Sequence, residues 1–287
     1  MSLSNATLEP VVDTVVSDEW LSSAVPSYWQ LGRRDLAAGL VMWPLWTRLG
    51  WEDIRQRYIR SILGPFWISL SMLVMVAGLG TLYSKIMHQD MREYFPFLTL
   101  GLLFWQFLSD LVREGCLAFL QQEGFIRQIK LPLTVHVLRV VYRQFVVLAH
   151  NCVIYIPIAV IFSLWPTPYL LLEFPALLIW TLNAVWIVLL LGMLSARFRD
   201  IPPLVASSIQ ILFFLSPILW VPATLGTRAG IVEFNPIYHL LELVRAPLIG
   251  RAPDPLSWGA ALGLALVGWL VTFPFFARFR ARIAFWL

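Results

Sequence analysis

Charge is scarce in this chain: 13% of its 287 residues are Asp, Glu, Lys or Arg, where a soluble domain carries about 25%. That shortfall excludes a disordered chain and argues against a soluble enzyme. Cysteine is nearly absent too. Cys116 and Cys152 both lie in or beside apolar stretches and fit no metal-ligand spacing, so neither a disulfide framework nor a zinc site is implied. Lysine occurs only at Lys85 and Lys130, and neither completes the G-x-x-x-x-G-K-[ST] spacing of a phosphate loop. H-E-x-x-H and G-x-S-x-G are missing, and His88, His136, His150 and His239 are scattered. What the chain holds instead is apolar: 59% hydrophobic and 14% aromatic residues, with a mean hydropathy of +0.74. The pI near 9.3 would suit nucleic acid, but the basic residues cluster beside apolar stretches, a pattern that membrane topology explains better. The sequence reads as an integral membrane protein.

A membrane helix needs about 20 mostly apolar residues to cross a core of about 30 Å. Runs free of Asp, Glu, Lys and Arg cover 61–84, 94–109, 144–172, 174–196, 201–227 and 255–277. The second is short, and its helix is expected to continue through Asp110 towards Cys116. Six spans follow, with both termini on one side. The segments on that side hold sixteen Lys and Arg residues and the opposite side five. Basic residues resist translocation, so both termini are expected to be cytoplasmic.

Residues 1–34 form an acidic leader with Glu9, Asp13, Asp18 and Glu19, and lack the basic start and short apolar stretch of a secretory signal. From 35 to 60 the composition changes. Asp35 is placed to cap a helix, and Leu40, Trp43, Leu45, Trp46, Leu49, Trp51 and Ile54 interleave with polar residues. Trp43 and Trp46, three apart, share a face. A helix along the inner membrane surface is expected, kinked or divided at Pro44; a helix docked on the protein's own bundle is the alternative. One membrane domain accounts for 35–287: the interfacial helix 35–60, six spans within 61–277, and a tail 278–287.

Two connections need more than a simple turn. The stretch 118–143 is basic. The stretch 226–254 is unusually apolar, with Leu240, Leu241 and Val244 on one helical face and Glu242 spaced to pair with Arg245. Each half is too short to span, so short re-entrant helices before the last span are expected. His150 and Asn151 make a polar pair in the third span, open to function or to a hydrogen bond between helices. Asp110, Arg113 and Glu114 share a face and read as a local ion-pair cluster rather than a proton relay. Aromatic groups such as Phe104-Trp105-Gln106-Phe107 stack on sugars in some proteins, but they serve as interface belts by default.

The stretch Asp53-Ile54-Arg55-Gln56-Arg57-Tyr58, then Arg60-Ser61 and Leu63-Gly64-Pro65-Phe66-Trp67, resembles the approach to the first span in type-2 ABC exporter permeases of the polysaccharide and O-antigen export family. Three further blocks fit in the same order: Glu123-Gly124-Phe125-Ile126-Arg127-Gln128-Ile129-Lys130-Leu131-Pro132, Arg199-Asp200-Ile201-Pro202, and Ser216-Pro217-Ile218-Leu219-Trp220 leading to Asn235-Pro236-Ile237-Tyr238-His239 and Arg245. The resemblance spans about 35 to 280.

It implies an all-helical permease that works as a pair of identical copies with two separate ATPase subunits, in a bacterial inner membrane. ATP and Mg would sit on those subunits; this chain would carry no cofactor, bind no nucleic acid and do no covalent chemistry. The cargo implied is a lipid-linked glycan, commonly on an undecaprenyl diphosphate carrier. Arg55, Arg57, Arg60, Leu63, Gly64 and Pro65 would lie where the lipid headgroup enters. Glu123, Gly124, Phe125, Ile126, Arg127 and Lys130 would couple to the ATPase. Phe213, Phe214 and Trp220 would line the channel, and Asn235, Pro236, Tyr238 and Arg245 would close its outer mouth. Teichoic acid, capsule, a glycolipid or a drug are rival cargoes, and a membrane glycosyl- or acyltransferase is the rival class.

Overall fold

The computed structural model describes residues 26–59 and 66–287. Helices carry all the regular structure among them. Twelve α-helices follow in chain order: α1 (Tyr28–Val41), α2 (Trp43–Tyr58), α3 (Phe66–Ile86), α4 (Met91–Leu117), α5 (Glu123–Gln128), α6 (Leu133–Asn151), α7 (Tyr155–Ile161), α8 (Glu173–Arg197), α9 (Ile201–Leu215), α10 (Pro236–Leu248), α11 (Pro255–Phe279) and α12 (Ile283–Trp286). Short 3-10 segments join several of them, the longest at Pro222–Phe234.

Among the described residues, five stretches are long and apolar enough to cross a membrane: Ser69–Ile86, Met91–Leu117, Leu133–Ile161, Pro168–Arg197 and Pro255–Trp286. The fifth apolar run is α-helical only over Ile201–Leu215. At about 1.5 Å per residue its 15 residues reach roughly 22 Å, short of a full core. The stop has a local cause. Ser216 turns extended, with φ −94° and ψ 145°, because a residue before proline is driven out of the helical region, and Pro217 has no N–H to continue the ladder.

The third span differs from its expected start at 144. The helix begins at Leu133 and carries Arg139 and Arg143 inside it. Both arginines lie before the charge-free run; neighbouring helices neutralise them, so the helix tolerates them. Asn151 in that helix accepts a hydrogen bond from Ser69 of α3 at 3.4 Å, which accounts for it as a contact between helices. The second helix does run through Asp110, ending at Leu117.

The first helix starts earlier than expected. Ser27 caps it, accepting from the Gln30 N–H at 3.3 Å while the Gln30 side chain accepts from the Ser27 N–H at 3.1 Å, a reciprocal capping box. Asp35 therefore does not cap its own helix. It sits inside α1, buried, and accepts from the backbone N–H groups of Leu133 and Thr134 at 3.3 and 3.1 Å. It thus caps α6 from another helix, at an end whose N–H groups are otherwise unpaired. Arg280 completes the contact at 3.0 Å. The chain breaks at Met42, and Pro44 falls in the first turn of α2, where its missing N–H costs nothing.

Both helices dock on the bundle. α1 packs on α11 and α6, and α2 on α6. Gly39 lies so close to Thr134 that a Cβ there would stand 2.6 Å from the Thr134 Cβ. Trp46 faces inward, donating to the Gly39 carbonyl at 3.1 Å. Its expected partner on the same face, Trp43, points outward and is exposed along with Leu40, Val41 and Met42. Helix docking and an apolar outer edge are thus combined in one element.

At the centre lies α4, packed against α3, α6, α8, α9 and α10. Leu98, Leu100, Leu103 and Phe104 are fully buried. Phe104 and Phe107 both meet Trp180 of α8, with ring centroids 5.6 and 5.4 Å apart. α3 and α9 flank α4 and leave most of their apolar side chains outward; Ile209 is the one buried residue of α9.

Candidate functional site

The arginine-rich end of the bundle is organised by Asp53. Asp53 of α2 receives a two-pronged contact from Arg139 of α6, with Arg139 Nε donating at 2.7 Å. Arg143, one turn on, donates to the same carboxylate at 2.6 Å. Arg143 also pairs with Glu114 of α4, and Glu114 accepts from Arg57 of α2 at 2.7 Å. Arg139 further donates to Gln122 at 2.9 Å, in the 3-10 turn that leads into α5. Burial on its own would raise the Asp53 carboxyl, but the Arg139 and Arg143 guanidiniums together outweigh it and hold it below the usual carboxylate range. Five charges and one amide thus tie α2, α4, α6 and the approach to α5 into one body.

This changes the sequence reading of three residues. Glu114 pairs between helices, not locally with Arg113. Asp110 accepts from Gln106 at 2.6 Å. Arg57, expected near the lipid headgroup, is engaged with Glu114. Of its expected companions, Arg55 is exposed and 3.7 Å from Glu52, while Arg60, Leu63, Gly64 and Pro65 lie outside the described residues. Asp53, Gln122, Arg139 and Arg143 are not among the expected site residues. One signal was available: Arg139 and Arg143 stand four apart at the head of an apolar run, where like charges repel unless carboxylates face them.

The six expected coupling residues lie on and after α5. Phe125, Arg127 and Lys130 face outward, and Ile126 packs inward against the core. Arg127 holds Glu123 at 2.9 Å. Both are well exposed, so that pair is worth little and can exchange partners at small cost. α5 also touches α12 at the C-terminal end.

A cavity of about 310 Å³ opens between α3, α4 and α9. Phe213 and Phe214 line it, with Trp105, Gln106, Ser109, Arg113 and Gln210. Met72, Met75, Leu102 and Ile209 complete a wall that is part aliphatic, part aromatic and part polar. Trp220, the third expected lining residue, belongs to a separate open depression of about 660 Å³ with Leu225, Arg228, Phe234 and Asn235. Phe214 borders both, and the Trp220 indole donates to its carbonyl at 3.2 Å.

The other end of the bundle is locked by the turn after α9. Arg245 is fully buried, donates to the Pro217 carbonyl at 3.1 Å, pairs with Glu242 at 2.8 Å and lies 3.9 Å from the Phe97 ring centre. Asn235 donates to Ser216 at 3.0 Å and caps α10 by accepting from the Ile237 N–H at 2.9 Å. Tyr94, not singled out in the sequence, donates to the Leu219 carbonyl at 2.5 Å. Pro236 begins α10, and Tyr238, two residues later, is half-buried. Asn235 and Arg245 therefore converge on residues 216–219, whereas Pro236 and Tyr238 do not hydrogen-bond to that turn.

The family described as ABC-2 type transporter matches residues 44–249. An O-antigen export system permease protein RfbA from Myxococcus xanthus is 24% identical over 237 residues, covering 79% of this chain and 89% of that protein. Two proteins of the same name from Klebsiella pneumoniae are 23% and 24% identical over 194 residues, covering 66% of this chain and 74% of each.

Proposed function

We propose that this chain, which belongs to the ABC-2 type transporter family, is the membrane-spanning permease of an ATP-driven exporter for an O-antigen-like, lipid-linked polysaccharide. The observation that carries the reading is the family match from α2 to α10, joined by relatives that are named as O-antigen export permeases along most of their length. Membership of this family implies ATPase subunits as partners, and the finer assembly is part of the proposal. Two copies meet across the outward faces of α3 and α9, so that the cavity carrying Phe213, Phe214 and Trp105 faces its counterpart and forms the path for the glycan. Two ATPase subunits, holding ATP and Mg, dock at α5. The arginine-rich end faces the cytoplasm of a bacterial inner membrane, by the resistance of basic residues to translocation. The undecaprenyl diphosphate headgroup enters near Arg55, Arg60 and Gly64.

In this reading the chain makes and breaks no covalent bond. Closure of the ATPase pair pushes α5. Because Gln122 holds Arg139, and Arg139 holds Asp53, the push reaches α2 and α6 together rather than bending the loop. At the opposite end, Arg245, Asn235 and Tyr94 keep the 216–219 turn in place until the bundle shifts. Flanking residues Phe213 and Phe214 offer ring faces to sugars, and Gln106, Ser109 and Gln210 offer donors and acceptors.

The test is where the glycan goes when the gene is deleted and then restored. Deletion traps polymer in the cytoplasm with none at the surface, and the wild-type chain restores it. A Phe125→Ala/Arg127→Ala chain inserts normally but restores none, because the exposed contacts for the ATPase are gone. Normal surface polymer after deletion removes glycan as the cargo. Polymer that is never made, or made with altered linkages, favours an enzyme instead. Full export by the double variant removes α5 as the coupling element.

A further inference from the structure

At the end of the bundle opposite the arginine network, two neighbouring cavities share Leu164 and run along either side of the Leu248–Ile249 corner. One, of about 380 Å³, is polar at its rim: Arg92, Arg251, Glu93 and Gln89 line it over a floor that includes Phe97. The other, of about 350 Å³, is almost wholly apolar, formed by Ile156, Val160, Trp165 and Leu170 with the corner residues Pro247 and Leu248. Each is of ligand-binding size, within a range of about 300–1,000 Å³.

We infer that the two cavities form one site for an anionic, phosphate-headed lipid, with a chain in the apolar groove and the phosphate between Arg92 and Arg251. The apolar groove lies on the outward side of α7, where Ile156, Val160 and Ile161 are exposed at the level of a membrane span. Trp165, 80% exposed at the groove's edge, marks the headgroup level, where indole rings settle. The polar cavity adjoins the groove through Leu164. A soluble anion would have no use for the groove, and a bare hydrocarbon none for the arginines.

Three further observations fit a headgroup. Arg92 stands in the first turn of α4, where a cation opposes the helix dipole, so the stability of α4 does not account for it. Arg251 is 61% exposed and only 3.6 Å from Glu242, which is already held by Arg245; such a rim pair is weak and open to a better acceptor. The Thr167 hydroxyl, lining the groove, is buried without a hydrogen-bond partner, as suits an oxygen waiting for an ester or glycerol group. Two arginines against one lining carboxylate, Glu93, favour a net negative headgroup. Glu93 and Gln89 are placed for headgroup hydroxyls. Arginine suits the phosphate because its planar fork matches two oxygens. Ser163, which precedes the shared Leu164, has a φ of 57°, uncommon for a residue with a side chain; the α7 turn is held in a special conformation beside the site.

This site stands apart from the glycan path and does not depend on the export reading. The test uses the full chain in phosphatidylcholine nanodiscs doped with phosphatidylglycerol carrying brominated chains, which quench tryptophan on contact. The quenching that disappears in Trp165→Phe reports the groove. That component saturates at about tenfold less phosphatidylglycerol in the wild type than in Arg92→Gln/Arg251→Gln, and Arg92→Lys/Arg251→Lys, which keeps the charge but loses the fork, falls between the two. Unbrominated undecaprenyl phosphate, added as competitor, separates the sources. Relief of quenching identifies the carrier lipid as an occupant, and no relief identifies ordinary phospholipid. Equal quenching by brominated phosphatidylcholine, or by the doubly neutralised chain, shows bulk lipid contact only and overturns the site.

Discussion

Replacing Arg139 by Ala is expected to destabilise the chain by about 3 kcal/mol and to abolish export while leaving insertion intact. The size follows from what is stranded. Arg139 and Asp53 are only 15% and 16% exposed, so removing the guanidinium leaves a half-buried carboxylate facing Arg143 alone and frees Gln122 from α6. A lost partner at such a site costs more than the intact pair contributes, because the remaining charge keeps its desolvation penalty. Thermal unfolding in detergent measures the first effect, and surface glycan the second. Asp53→Ala/Arg139→Ala is expected to lose less than the sum of the single changes, since neither member of the pair is left stranded and Arg143 keeps Glu114. Additive losses would show that the two residues act independently. Arg55→Ala is the control, an exposed residue 3.7 Å from Glu52, and changes stability little. The same network sets a pH response. The folded Asp53 value is depressed below 3.8, so its stabilisation is complete above that value and is lost as pH falls through the folded one. Between pH 5 and 8 this group should contribute no change in stability.

Gly268→Leu is expected to prevent accumulation of folded chain altogether. A Cβ at Gly268 of α11 would stand 2.5 Å from the Trp186 indole Nε1 and closer still to its ring carbons, a distance no real packing shows. The indole cannot swing aside freely, because it donates to Asn183 at 3.0 Å, and Asn183 in turn donates to the Ala261 carbonyl at 3.2 Å. Overpacking a well-filled contact costs about 1–3 kcal/mol per small insertion, and a four-carbon side chain at this spot exceeds that. Gly268→Ala should therefore be impaired and Gly268→Leu absent, by fluorescence-detected size exclusion of the solubilised chain. Gly268→Ala combined with Trp186→Ala should recover accumulation, because the ring that the methyl strikes is gone. Normal behaviour of Gly268→Leu alone would mean that α8 and α11 do not approach as described.

The reading of this chain as a helical membrane protein rests on composition and run length, properties that each segment carries alone. Partial misplacement arose wherever a segment's neighbours altered its energetics. Arg139 and Arg143 fall outside the expected third span because a charge in an apolar helix is costly; Asp53 and Glu114, 90 and 29 residues from Arg143 in sequence, remove that cost. The run 201–227 was counted as one span because it lacks charge, yet Ser216-Pro217 ends its helix by backbone chemistry that hydropathy ignores. Glu242 and Arg245 were legible as a pair because helical spacing fixes their distance. That Arg245 also reaches Pro217 and Phe97 was not, since those contacts join three elements.

The candidate site divides in the same way. The outward set of Phe125, Arg127 and Lys130 is written locally, in a short basic segment between apolar runs. Asp35 shows the opposite case: its type and position suggested a cap, correctly as chemistry, but the helix it caps begins at Leu133. Sequence by itself determined that the chain is helical, belongs in a membrane and concentrates arginine at one end, because hydropathy, helical period and translocation act on contiguous residues. Tertiary structure alone decided which charges are paired, where the third and fifth apolar runs start and stop as helices, and that α1 and α2 lie against the bundle. Those outcomes depend on which helices meet, and the free energy of a buried charge or an uncapped helix end is set by the partner that the fold brings to it.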